Sequence, residues 1–305
     1  MSAKARLALI LAASLGAAVP LHAQTAPGNN VADRFRQQNA PATEEARTQA
    51  ILTGDTDLVL LRRTPLFTLS ATLGASPTSN AFLSPAGERA DVVLQGQAGL
   101  RIGTRIGGRL DVFAEAGVLG VRYARFGALG YNALTGAVGA ATRLAGFDLS
   151  LLYQPSIIYS RDFKTRQLTQ HQISASVSRS FHVGSVVVTP SATGQRVESS
   201  PSDYRNWSAL ADLSLSRPFA IGRLPAAVFA TGGFEYRAYD SYFHDLLGVD
   251  RNDKLLRASA GVIVQLAPAA SLRAAYSFQR NRSSSDVNGY VAHSGALTLS
   301  GAIRF

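Results

Sequence analysis

Alternation of apolar and polar residues is the feature of this sequence that most restricts its fold. From Leu66 to the C-terminus, apolar side chains recur at every second position, as in a strand with one apolar face. In Asp91–Thr104, every second residue from Val92 to Ile102 is aliphatic or glycine, and the positions between them include two glutamines and an arginine. An α-helix, with its period of about 3.6 residues, does not produce this pattern.

The chain contains about twelve such segments, and the connections between them alternate in length. Short connections such as Ala145-Gly146 alternate with longer, more polar ones such as Asp240–Asp253. Membrane barrels show this arrangement, with short turns on one rim and long loops on the other. An even number of strands would place both barrel ends at the short-turn rim. The predicted strands are 66–76, 90–104, 108–122, 131–144, 147–160, 167–180, 185–197, 204–217, 226–239, 254–267, 271–282 and 292–305.

Soluble β-sandwiches also alternate, so other features must decide between the two classes. Here the apolar faces stay apolar for about ten residues while the opposite faces carry charged and amide side chains, as in a lipid-facing wall around a wet interior. The chain has no Cys, and beyond residue 24 it lacks the run of about 18 apolar residues that a spanning helix needs. We therefore predict an all-β fold, a transmembrane antiparallel up-and-down β-barrel of about twelve strands. Aromatic residues near the ends of the apolar faces are typical of the girdles that membrane proteins place at the membrane–water interfaces. They are Phe67, Phe147, Tyr159, Trp207, Tyr236, Phe278 and Phe305.

The N-terminus has the three parts of a secretory signal peptide. Lys4 and Arg6 precede the apolar stretch Leu7–Val19, and Ala23 is a small residue at a cleavage site before Gln24. We therefore predict export, cleavage after Ala23 and residence in the outer membrane of a Gram-negative cell. A membrane anchor is the alternative, but the stretch is shorter than a spanning helix.

Residues 24–63 do not alternate and form a region of their own. Asn29-Asn30 could cap a short helix over Val31–Gln38, and Thr43 could cap a second over Glu44–Leu52. We interpret the region as a short, partly helical periplasmic leader that could bind a periplasmic partner. The alternative is a plug folded into the barrel lumen. The predicted organisation is a signal peptide at 1–23, the leader at 24–63 and the barrel at 64–305.

The last nine residues resemble the β-signal of bacterial outer-membrane proteins. The stretch alternates, with Leu297, Leu299 and Ile303 on one face, and ends in Phe305. In that family the barrel-assembly machinery recognises the terminal aromatic residue, so the resemblance implies this machinery as a partner. A second stretch, Tyr276–Ser284, is similar to the penultimate hairpin of porin-like barrels, some of which occur with exopolysaccharide or surface-assembly systems.

Charges on the polar faces are the main clue to function. The chain has 30 Lys+Arg and 20 Asp+Glu, a formal net charge of +10. Alternation predicts a lumen rich in arginine, which would favour anions in a pore. The alternative is a filled lumen in which arginines and carboxylates neutralise each other. The predicted pore-lining residues are Arg101, Arg105, Arg109, Asp111, Glu115, Arg143, Arg237, Arg257 and Arg273, with Arg304, Asp148, Asp212 and Glu235 on the same faces.

Three functions fit this architecture. The first is a porin-like passive channel with a mild preference for anionic solutes. The second is the barrel component of polysaccharide export or surface-protein assembly. The third is an enzyme at the outer rim, with His244 and Asp245 as its candidate pair. We expect no metal site, since the histidines lack metal-ligand spacing. We also expect no cofactor and no enzyme activity. The expected contacts are outer-membrane lipid and lipopolysaccharide, and not nucleic acid.

Overall fold

The computed structural model describes residues 31–32, 34–36, 67–244 and 249–305, with backbone alone at 241–244 and 249. Antiparallel strands dominate from Phe67 onward, as the alternation predicts. In chain order they are β1 Phe67–Thr78, β2 Asp91–Ile106, β3 Leu110–Tyr123, β4 Tyr131–Leu144, β5 Phe147–Ser160, β6 Arg166–Ser178, β7 Phe181–Val183, β8 Val186–Ser200, β9 Asn206–Ile221, β10 Leu224–His244, β11 Val249–Ala267, β12 Ala270–Ser283 and β13 Tyr290–Arg304. Single 3-10 turns occupy Gly127–Leu129, Ser202–Tyr204 and Asp286–Asn288.

The sheet closes on itself, which confirms the predicted barrel. Apart from β6 and β7, each strand pairs with its neighbours in sequence, and β1 also pairs with β13. The three-residue β7 continues β6, because both pair with β8, so the 13 strands form a twelve-membered wall. At the seam, the Phe67 N–H donates to the Phe305 carbonyl oxygen at 3.0 Å, and the Phe305 N–H donates to that of Phe67 at 3.1 Å. Closure satisfies the backbone groups that an open edge would leave exposed to lipid.

The two rims differ as the connection lengths predict. Tight turns built on glycines with positive φ, such as Gly107-Gly108, Gly184 and Gly222, lie at the rim that holds Phe67 and Phe305. Longer connections such as 79–90 lie at the opposite rim, called here the loop rim. In outer-membrane barrels the short turns are periplasmic and the long loops extracellular.

Strand bounds agree with prediction most closely where turns are shortest. β4 and β5, on either side of Ala145-Gly146, have the predicted limits 131–144 and 147–160. The predicted loop Asp240–Asp253 is wrong as a loop, because β10 and β11 continue as a hairpin beyond the wall, with a register irregularity between Ala238 and Phe243. The predicted turn Pro218–Pro225 shrinks to Gly222-Arg223 for the same reason: the strands run on to the turn glycine.

The outer face of the closed barrel is apolar. Leu73, Val138 and Leu151 are 65%, 58% and 57% exposed, and they belong to a large set of outward aliphatic side chains. So much exposed aliphatic surface is unfavourable in water and is expected of a wall in contact with lipid. Aromatic pairs lie at both ends of this apolar outer face. The ring centres of Phe67 and Phe305 are 5.8 Å apart in a stacked pair, and those of Trp207 and Tyr236 are 5.5 Å apart.

Within the described ranges, no helix has the length and apolar character required to span a bilayer.

Candidate functional site

The inward face of the barrel wall carries paired arginine and carboxylate side chains and is the candidate site. On adjacent strands, the Arg105 Nε donates to Asp111 Oδ1 at 2.8 Å, and the Arg143 Nε donates to Asp148 Oδ1 at 2.8 Å. Both pairs are doubly hydrogen-bonded, since Nη2 of each arginine reaches the second carboxylate oxygen. This fork geometry fixes the side chains near the short-turn rim.

A third pair crosses an intervening strand. Arg257 on β11 donates from Nη2 to Asp212 on β9 at 3.1 Å, although β10 lies between them. Gly233 of β10 stands in register with both residues, and a Cβ there would overlap the Asp212 carboxylate. The missing side chain therefore gives the pair its room. Arg257 also lies 3.9 Å from Glu235.

Two predicted pore arginines lie flat against aromatic rings. The Arg101 guanidinium carbon is 3.8 Å from the centre of the Phe113 ring, and that of Arg273 is 4.6 Å from the centre of Phe229. Glu115 faces Arg101 in the register of β2 and β3. Stacking holds these cations against the wall, where they project less into the lumen.

Toward the loop rim the wall holds a fully buried ionic cluster. Arg237 donates to Glu235 at 2.7 Å, and Arg251 donates to Asp253 at 2.6 Å. Arg237 and Asp253 are 3.7 Å apart, which joins the two pairs, and the side chains of Arg251 and Asp253 are 0% exposed. The sequence analysis missed Arg251 and Asp253 because it assigned them to a loop; extending the alternation of β11 by two steps would have found them.

Two of the predicted inward arginines lie at the short-turn rim. Arg109 is exposed in the turn that follows Gly107-Gly108, because the chain reverses there before β3 begins. Arg304 ends β13 at the short-turn rim and is exposed. The side chain of His244 and all of Asp245, the candidate enzymatic pair, lie outside the described residues. Among the described residues, no three His, Asp or Glu side chains are placed to hold a metal ion.

Part of the region interpreted as a leader lies against the inner wall. Residues 31, 32 and 34–36 are helical, as predicted for Val31–Gln38, and Val31, Ala32 and Phe35 are buried. The Phe35 ring meets Tyr131 edge-on at 6.3 Å. Position 33 and residues 37–66, including the second predicted helix, lie outside the described residues.

The helical residues belong to a large apolar cluster near the loop rim. The wall supplies inward side chains of β2–β6, and the first long connection, 79–90, turns inward to supply Ala81. Asn80 fixes this connection by donating to the carbonyl oxygens of Ser84 and Val291. The cluster comprises Val31, Ala32, Phe35, Ala81, Val93, Leu119, Val121, Tyr123, Leu129, Tyr131, Ala133, Ile158, Leu168 and Tyr204.

The helical residues match the two sides of the lumen. Val31, Ala32 and Phe35 pack on the apolar side formed by β2–β6. Arg36 is close enough to Glu235, on the charged side, for their opposite charges to attract. The segment thus combines hydrophobic burial with electrostatic attraction, two independent sources of attachment.

Comparison with known proteins supports the fold. No protein-family model matches the chain, and no curated protein matches it. An outer membrane channel from Pseudomonas putida F1 superposes with a TM-score of 0.52 at 11% identity, covering 79% of this chain and 96% of that one. The beta domain of the Bordetella autotransporter BrkA gives 0.47 at 15% identity, covering 78% and 100%. The translocator domain of the autotransporter NalP from Neisseria meningitidis gives 0.43 at 17% identity, covering 87% and 97%.

The superposition on the Pseudomonas channel indicates a shared fold, and at 11% identity it leaves function open. The closed antiparallel wall, its apolar exterior and its polar interior together give this chain the fold of an outer-membrane β-barrel.

Proposed function

We propose that the protein is a porin-like channel whose resting state is closed by its own N-terminal segment. The observation that carries this proposal is the apolar cluster in which Val31, Ala32 and Phe35 pack against inward side chains near the loop rim. A permanently water-filled pore would leave those wall side chains, such as Ile158 and Val121, in contact with water, which is unfavourable. Both are 0% exposed, in one apolar cluster with the helical residues and Ala81.

The open state needs a polar path, and the wall below the cluster supplies one. Gln97, Thr72 and Ser300 stand in register across β2, β1 and β13 on the inward face, and the paired arginines Arg105 and Arg143 lie nearer the short-turn rim. Displacing the N-terminal segment would join this polar region to the loop rim.

Selectivity in the proposed open state is weak. The three arginines Arg105, Arg143 and Arg257 are each bound to a carboxylate, so the lumen offers fewer net positive charges than the arginine count suggests. A ring of charge selects ions through its net field. We therefore propose at most a mild preference for anionic solutes.

The competing function, a component of polysaccharide export or surface-protein assembly, requires the leader to reach a periplasmic partner. Burial of Val31, Ala32 and Phe35 inside the barrel favours the channel, since a segment packed in the lumen is not available at the periplasmic surface. Immobilised leader peptide 24–63 tests the alternative: specific capture of one periplasmic protein by this peptide, and not by a scrambled one, would favour assembly.

Single-channel recording in planar bilayers tests the proposal. The intact protein should be closed for most of the time, and a variant lacking residues 24–63 should conduct steadily. Both proteins must first show the heat-modifiable migration of a folded barrel. If both proteins are folded and neither conducts, the protein is not a channel. If both conduct equally, the segment does not close the channel.

A further inference from the structure

The outer face of β11 and β12 changes character towards the loop rim. Along β12 the outward residues are Ala274, Tyr276, Phe278, Arg280 and Arg282, so the face passes from aliphatic through aromatic to basic within five alternate positions. On β11 the outward Leu256 is followed by Lys254 in the same direction. A membrane protein meets hydrocarbon, then the interface, then charged headgroups in this order.

Three cations come together at the top of this gradient. Lys254 stands directly opposite Arg282 in the register of β11 and β12, and Arg280 is two residues from Arg282 on the same face. All three side chains are exposed. Like charges directly opposite each other destabilise a sheet, so the arrangement costs free energy unless an anion lies between them.

The protein does not supply that anion in the part of the chain that the structure describes, where no ion pair involves Lys254, Arg280 or Arg282. The neighbouring outward cluster is different. Arg196 binds both Glu198 and Asp240, and is thereby neutralised. Charge compensation on this surface is thus complete at one place and missing at another.

We propose that Lys254, Arg280 and Arg282 bind the phosphates of a phosphorylated glycolipid of the outer leaflet, of the lipid A type. The acyl chains would lie along the apolar wall below, against Leu256 and Phe278. Two features favour a lipid carrying more than one phosphate. The Cα atoms of these residues are spaced by about 5 to 7 Å across and along the strands, so their side chains can bind two anionic groups. They also lie at the loop rim, which faces the outer leaflet.

Binding of detergent-solubilised lipid to the purified full-length protein tests the proposal. The probes are lipid A with both phosphates and the same lipid with its phosphates removed, with inorganic phosphate as competitor. The test variant is Arg280→Gln with Arg282→Gln. The control is Arg217→Gln with Arg223→Gln, which removes the same charge from exposed positions at the short-turn rim.

The test variant should bind phosphorylated lipid A about ten-fold or more weakly, since each basic residue beside an anionic lipid surface contributes roughly a five-fold factor. The control should bind as the native protein does, and dephosphorylated lipid should bind weakly to all three. Native affinity should fall with added salt, a measurement that needs no variant. The variant should fold, because it removes a repulsive pair from an exposed face.

Three results would overturn the proposal. Equal affinity of the test variant and the native protein for phosphorylated lipid A would show that Arg280 and Arg282 do not bind it. Equal affinity for dephosphorylated lipid would leave only hydrophobic adsorption. Complete competition by millimolar inorganic phosphate would show a site that recognises phosphate alone, and not a lipid.

Discussion

Replacing Phe35 by alanine should open the proposed channel. The side chain is 4% exposed, packs within the apolar cluster and meets the Tyr131 ring at 6.3 Å. Truncating a buried phenylalanine to alanine costs about 3–5 kcal/mol. We take the lower value, because water can enter the lumen beside the truncated side chain.

A loss of about 3 kcal/mol multiplies the ratio of displaced to docked segment by about 150, since each 1.4 kcal/mol is a factor of ten. A channel open for about 0.1% of the time, at the low end for a minor state, would then be open for about a tenth of the time. The single-channel conductance should not change, because Phe35 belongs to the segment and not to the wall.

The assay is the open time in long single-channel recordings of the refolded full-length protein. Phe163→Ala is the matched control, because it removes the same atoms from a connection at the loop rim where the side chain is 54% exposed. If folded Phe35→Ala opens no more often than Phe163→Ala, the apolar cluster does not hold the channel closed. An altered conductance without more frequent opening would also count against docking by this residue.

Other changes test the wall itself. In the protein lacking residues 24–63, Asp212→Asn should raise anion over cation permeability by about two- to five-fold, because it frees a paired arginine and a unit charge nearby is worth about 1 kcal/mol in water; the reversal potential under a salt gradient measures this, and Asp162→Asn in an exposed connection should change little. Gly261→Ala should destabilise the barrel by about 1–3 kcal/mol, since its Cβ would press on a backbone oxygen, whereas Gly194→Ala has open space; urea unfolding followed by heat-modifiable migration would detect no difference if the packing argument were incorrect. Phe305→Ala should lower the amount of folded barrel in the outer-membrane fraction, because it removes both the terminal aromatic residue and its stacking at the seam; an unchanged yield would argue against an assembly signal.

The barrel itself was predictable from sequence because the residues of each strand show, without reference to other strands, that the segment is a strand with one apolar face. Period-two alternation shows which residues share a face, and short glycine turns fix where strands end, so β4 and β5 have the predicted bounds. The pairing of charges was less accessible. Arg257 and Asp212 are 45 residues apart on strands that are not neighbours, and they meet across Gly233 of the intervening β10, a register that alternation does not reveal. Alternation also does not reveal that Arg109 lies in the turn before β3, where it is exposed.

The apolar cluster around the helical residues corresponds to a pattern in the sequence that is found when neighbouring strands are compared. At the loop-rim ends of β3 to β6 the inward positions stop being polar and carry residues such as Val121, Tyr131, Ile158 and Leu168. An inward wall that contacts water has no reason to become apolar at one end on four consecutive strands. An apolar inward patch therefore predicts an apolar occupant, and Val31–Gln38, with Val31, Ala32 and Phe35 on one helical face, is a segment able to provide it. On each strand taken alone, these residues indicate a wet lumen and a separate leader. Compared around the barrel, they form an apolar inner patch against which the helical residues pack, as the proposed closure of the channel requires.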